Sequence, residues 1–262
     1  MSGREGLMDS SVTEPSSKAG RWAVGLVGGD WELGELAPHF AGSIRVDRCP
    51  EGWELMSDAF QDADDASAIH ALAGEMLRLI NGIARVRLDR PEPIGLGNVR
   101  RYRGGGKDAW VFPEPAQARL HMGTPSIAIN GVLVPPRSWE PDVQLASRDE
   151  RVWAVLTFLA IQPNWHSLYA ALDTILRDRR TGGEGGLTTW ANVPAAKVRL
   201  FRRTANSSRA VGAEARHGPD YVAPRHPMAF TEGEELVGHV VNCWLDELGR
   251  VSSVPGRQNL DH

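Results

Sequence analysis

The spacing of apolar residues changes partway along this chain, from about two to between three and four, and that change constrains the fold more than any other feature. Up to about position 134 alternation dominates. Trp22, Val24 and Leu26 alternate as in a half-buried strand, and Gly28-Gly29-Asp30 turns the chain. Ile44 and Val46, a turn at Pro50-Glu51-Gly52, then Trp53 and Leu55 read as a hairpin. From 147 onward the apolar residues instead recur at helical spacing. Period two builds one face of a sheet and period 3.6 builds one stripe of a helix, so the two stretches belong to different architecture. The expectation is an α+β chain with an antiparallel, strand-rich part carrying one long helix over 21–140 and a small helical bundle over 147–249. Tails at 1–20 and 250–262 are expected to lie outside both, the first too polar and aperiodic to order.

Within the strand-rich part, the spacing of Ile69, Leu72, Ala73, Met76, Leu77 and Ile80 predicts a helix over 65–81. Asp62, Asp64 and Asp65 favour its start, and Gly82 is expected to end it. Strands resume with Val86 and Leu88, then with 99–102 leading to a tip at Gly104-Gly105-Gly106 and a return through Trp110-Val111-Phe112. Leu120 and Met122 alternate, and 127–129 meets 132–134 across Asn130-Gly131, a strong hairpin signal. Pro135-Pro136 and Pro141 read as a linker or a rigid corner.

Four helices are expected in the second part. Ser147-x-x-Glu150 reads as a capping box before a nearly all-round apolar helix with Val152, Trp153, Val155, Leu156, Phe158 and Leu159. Asn164 caps the next, which carries Trp165, Leu168, Tyr169, Leu172, Ile175 and Leu176. A third starts with Pro194 and buries Val198 and Phe201. Thr231-x-x-Glu234 and Gly249 frame the last, with Val237, Val240, Val241, Trp244 and Leu248 as its stripe. The nine tryptophans recur at no fixed period, so they read as core fillers rather than as repeats.

Several chemistries are set aside by spacing. Gly104-Gly105-Gly106-Lys107 lacks the P-loop glycine, with Arg101 in its place, and has Asp108 where Ser or Thr is needed. Gly95-Leu96-Gly97 meets Arg100 where a dinucleotide fingerprint needs glycine. Cys49 and Cys243 stand far apart with no ligand-type neighbours at metal spacing, so neither a disulfide framework nor a zinc site is expected. No catalytic residue, metal or cofactor is predicted. The first twenty residues hold no apolar core of a signal sequence, and the apolar stretch at 152–161 is half a membrane span. The expectation is a cytoplasmic protein without membrane contact.

Charge singles out one segment. Residues 173–226 hold ten Lys and Arg against five Asp and Glu, net +5, between flanks of −5 for 1–172 and −4 for 227–262. Such segregation is what a site for an anion produces. Arg202, Arg203, Asn206, Arg209, Arg216 and His217 supply multi-donor groups suited to phosphate oxygens, on a helix end and the loop after it. The partner would be nucleic acid, a nucleotide or an acidic protein surface. The competing structural role for the same residues is an exposed helix face at 202–203, with Asn206 and Arg216 tying down the loop. A metal on His217, Asp220 and His226 is opposed by the neighbouring arginines.

Two resemblances bear on this segment. With Thr204-Ala205-Asn206, Ala215-Arg216-His217 and Pro227-Met228 as landmarks, the stretch 201–244 resembles a group of uncharacterised bacterial proteins, which implies no activity. A helical bundle with Arg and His near its end is similar, more distantly, to the HEPN ribonucleases of toxin and phage-defence systems. Their signature is Arg, four to six residues, then His. Here seven residues separate Arg209 from His217, Arg216 adjoins His217, and the spacing is met by Arg257 and His262 in the tail. The leading expectation is therefore a non-enzymatic binding protein, with a ribonuclease or nucleotide-acting enzyme as the alternative.

Overall fold

The computed structural model describes residues 20–88, 92–104, 106–112, 137–160, 163–217 and 221–253, with Ser252 and Ser253 by backbone alone. Five strands form one sheet: β1 (Arg21–Val27), β2 (Ile44–Cys49), β3 (Gly52–Ser57), β4 (Gly95–Arg103) and β5 (Gly106–Trp110). Their order is β2-β3-β1-β4-β5, with every neighbouring pair antiparallel. Val24 sits opposite Leu55 on one side and Val99 on the other, and Leu55 opposite Val46. Directly paired residues share a face, so these four make one buried apolar row across the sheet. Helix α1 (Asp30–Leu36) follows β1, and α2 (Ala66–Arg87) packs over β1 and β4. Asp65 starts α2 by accepting the Ala68 amide at 2.8 Å, as the acidic start predicts.

The chain is α+β, as the change of period implies. Its C-terminal part is helical throughout the described residues: α3 (Glu140–Arg148), α4 (Glu150–Ala160), α5 (Trp165–Leu176), α6 (Gly183–Trp190), α7 (Ala195–Ala205), the short α8 (Ser208–Val211) and α9 (Phe230–Ser253). Asn164 caps α5 by a reciprocal pair of bonds with Ser167, and α7 follows Pro194 with Val198 and Phe201 buried, both as expected.

Several local expectations are corrected. Helix α2 does not stop at Gly82 but runs to Arg87, taking in Arg85 and Val86, where a strand was expected; Leu88 caps it. A side chain at Gly82 would stand 2.2 Å from the Leu156 carbonyl oxygen of α4, so this glycine permits close helix approach and ends nothing. Ser147 opens no helix: it lies inside α3 and donates to the Gln144 carbonyl, while Asp149 accepts the Arg151 amide at the start of α4. Pro141, expected as a linker or corner, stands in the first turn of α3, where its missing N–H costs nothing. The glycine-rich 182–186 forms a turn and the start of α6, because Gly182 at φ +82° and Gly183 at φ +57° reverse the chain. Finally, α9 begins at Phe230 and passes through Gly249 to Ser253. Glu232 takes the Ala229 amide, and Glu234 pairs with Arg85 of α2 at 3.2 Å. The hairpin across Asn130-Gly131 lies outside the described residues, as do both tails beyond 20–253.

Helix α2 sits between the two parts. One apolar cluster runs from Val24, Leu55 and Val99 through Ile69, Ile80 and Ile83 of α2 to Val155 and Leu156 of α4, then to Leu172, Ile175 and Trp244. Polar ties follow the same path. Arg87, 7% exposed at its side chain, binds Asp142 of α3 at 2.7 Å and Asp246 of α9 at 3.0 Å, and also meets Asn242. No helix among the described residues is long and apolar enough to cross a membrane.

Candidate anion-binding surface

The basic segment begins at the end of α5 and continues through α8, and much of its charge is already committed. Arg177 pairs with Asp173 one turn back at 2.8 Å. Arg180 grips Asp178 at 2.7 Å and also reaches Asp149, while Arg151 approaches the same Asp178 at 3.5 Å. Asp178 is fully buried and also accepts the Trp244 indole N–H at 3.0 Å. Burial pushes the Asp178 carboxyl up, but the bonds from Arg180 and Trp244 and the Arg180 charge outweigh it, so its pKa is lowered. This cluster fastens the end of α5 to α4 and α9. It is structural.

The six residues singled out by charge fall into two groups. Asn206 is buried, and Arg202 is partly exposed but ion-paired. Arg202 pairs with Glu184 of α6 at 3.4 Å. Burial lowers its pKa, but the contact with the Tyr169 hydroxyl and the charges of Glu184 and Asp173 outweigh it and leave the pKa raised. Asn206 caps α7, is 5% exposed, and its amide oxygen accepts no bond among the described residues. Arg203, Arg209, Arg216 and His217 are exposed, and among the described residues none of them meets a carboxylate.

Arg203 stands on α7 and Arg209 on α8, and the loop that carries Arg216 and His217 is held from several sides. The Arg216 amide donates to the Ala205 carbonyl at 3.1 Å, folding the loop back on the end of α7. Glu214 accepts the Trp165 amide at 3.0 Å, supplying a carboxylate to the first turn of α5. Ser207 donates to the Tyr221 carbonyl at 3.1 Å, and the Met228 amide to the Thr204 hydroxyl at 3.0 Å. The expectation that Arg216 serves the loop is thus met through its backbone, which leaves its side chain free for another contact. That guanidinium lies over the Tyr169 ring, 4.6 Å from the centroid. His217 stacks on Tyr221 with centroids 5.7 Å apart.

Tyr169 therefore brings Arg202 and Arg216 to one place. Beside it is a cleft of about 260 Å³ lined by Phe158, His166, Tyr169, Asp173, Thr174 and Arg216. The spacing places both Phe158 and Tyr169 in the core; Tyr169 is buried there while its ring lines the cleft, Phe158 is not, and His166 carried no signal. The signal was present for Phe158: the buried residues of α4 are Val152, Val155, Leu156, Leu159 and Ala160, and Phe158 falls outside that spacing and is 39% exposed.

A second polar cluster covers the outer face of the sheet. Glu54, 2% exposed, accepts Arg100 at 2.6 Å and the Tyr102 hydroxyl. Burial, then the bond to Glu54, pushes the Tyr102 phenol up to about 12. Cys49, Glu51 and Glu54 bring one donor atom each within 4.8 Å of one another, a spacing absent from the sequence reading. Arg100 already supplies the positive charge there, 3.6 Å from the Cys49 sulfur and 3.5 Å from Glu51, and Lys107 pairs with Glu51. The cluster is a closed ion network rather than a receptor for a cation.

No protein-family model, curated protein or solved structure matches this chain.

Proposed function

We propose that this is an intracellular, non-enzymatic binding protein whose partner is anionic, and that Arg203, Arg209, Arg216 and His217 form the contact surface. Asn206 supports it from within, and the ion-paired Arg202 flanks it. The observation that carries the reading is the contrast within one segment: Arg177, Arg180 and Arg202 are ion-paired, whereas Arg203, Arg209 and Arg216, like Arg179, Arg199 and Arg225, are exposed and meet no carboxylate among the described residues. An unpaired guanidinium on a helix or a braced loop offers its donors to an incoming anion with little further ordering.

Fluorescence anisotropy with a labelled single-stranded RNA dodecamer, competed with inorganic polyphosphate, tests this. Affinity should fall steeply with salt, and a triple Arg203→Ala/Arg209→Ala/Arg216→Ala variant should lower the logarithmic salt slope by about 2, from ~0.7 per phosphate contact on a single strand. Binding that ignores both salt and the triple substitution would overturn the reading. The enzymatic alternative, using Arg209, Arg216 and His217, predicts strand cleavage in the same tube. His217→Ala would then abolish cleavage without shifting the melting temperature.

A further inference from the structure

The anionic partner has a chemistry that the cleft beside Tyr169 narrows. The arginines alone suit any polyanion. The cleft does not, because its lining combines stacking faces with a carboxylate. Phe158 is 39% exposed on α4, the exposed Arg216 guanidinium lies over the Tyr169 ring at the edge of the cleft, and His166 is exposed on α5. Next along the loop, His217 stacks on Tyr221, itself 39% exposed. Planar groups therefore run from Phe158 through Arg216 to Tyr221, interleaved with cations. Flat, sequence-tolerant stacking beside positive charge is how single strands are held.

Asp173 decides between partners. It lines the same cleft, 2.8 Å from Arg177. Arg177 offsets its charge, so what this carboxylate adds to the cleft is acceptor oxygens, which a bare phosphate or the side chain of an acidic peptide cannot use. It accepts from the exocyclic amino groups and ring N–H groups that nucleobases carry. The cleft, at about 260 Å³, is close to the lower end of small-ligand sites, at roughly 300 Å³, and suits one planar ring. A base can enter it only from an unstacked strand, so a duplex does not fit.

We infer that the partner is single-stranded nucleic acid, with one base taken into the cleft over α5 between Phe158 and Arg216 and its phosphates held by the exposed arginines. This rests on the anion-binding reading above and adds the base.

The test separates base from charge. Phe158→Ala and Tyr221→Ala remove exposed rings, so melting temperatures should not move. Each should weaken the RNA dodecamer about 5-fold or more, with the salt slope unchanged. Polyphosphate binding should be untouched by either, while Arg216→Ala weakens both ligands. An RNA duplex of the same length should bind more weakly than the strand. A DNA strand of the same sequence distinguishes the source: equal binding assigns the cleft to either strand, tighter RNA binding to RNA. If Phe158→Ala and Tyr221→Ala leave RNA binding intact while Arg216→Ala impairs it, the base site is overturned and the anion surface stands. Polyglutamate competing as well as RNA would overturn the inference in favour of an acidic protein partner. Binding of neither RNA nor polyphosphate would remove both readings.

Discussion

At the residue scale, chemistry here depends on which charges are spent inside the molecule. Asp178 and Asp149 share Arg180 and Arg151, and both carboxyls have lowered pKa values because those cations and hydrogen bonds outweigh burial. The direction sets a pH dependence. A carboxyl held below its ordinary value of 3.8 contributes stability above that pH and loses it as pH falls through the lower folded value. Thermal melts between neutral pH and pH 3 should show this acid limb. Asp178→Asn should flatten it and cost about 3 kcal/mol at neutral pH, because Arg180 and the Trp244 N–H lose a buried anionic acceptor. An unchanged acid limb in Asp178→Asn would show that other carboxylates set it. The contrast with Arg203, Arg209 and Arg216 is one of position. Net charge marked the whole segment, and pairing separated the structural arginines from the exposed ones.

At the element scale, several helix ends are set by neighbours rather than by local residues. Asp65 and Asn164 behave as caps because each side chain reaches its own N-terminal amides, a purely local event. Gly82 has every local mark of a stop, yet α2 continues for another turn and more, since Ile83, Ala84 and Arg87 each gain partners from doing so. Gly82→Ala tests this. As a helix stop, the glycine would tolerate alanine or gain from it. As a point of close approach it should not: the methyl would meet the Leu156 carbonyl, and α2 and α4 would have to separate at a cost of about 1–3 kcal/mol. Denaturant midpoints of the two proteins decide the sign. Ser147 and Thr231 are the converse case, with capping-box spacing satisfied by chance inside helices that start earlier.

At the scale of the whole molecule, the sheet and the helical part close on one apolar cluster through α2, and the Arg87 network ties α2 to α3 and α9. Unfolding followed by tryptophan fluorescence and by far-ultraviolet circular dichroism should therefore give coincident transitions. Two separated transitions would show that the parts are independent. The change of apolar period was enough to determine the α+β class, the β2–β3 hairpin, the core stripe of α2 and the cores of α4, α5, α7 and α9. Each of these follows from residues within a few turns of one another, so periodicity and local caps carry the information. The charge segregation likewise located the loop after α7. What only the tertiary structure decided is which side chains that loop turns outward, that α2 serves both parts, and that Phe158, Tyr169 and Arg216 meet at one cleft. Those residues are brought together from α4, α5 and the loop after α8 by contacts across the core. No spacing along the chain encodes a distance between elements that touch only after folding.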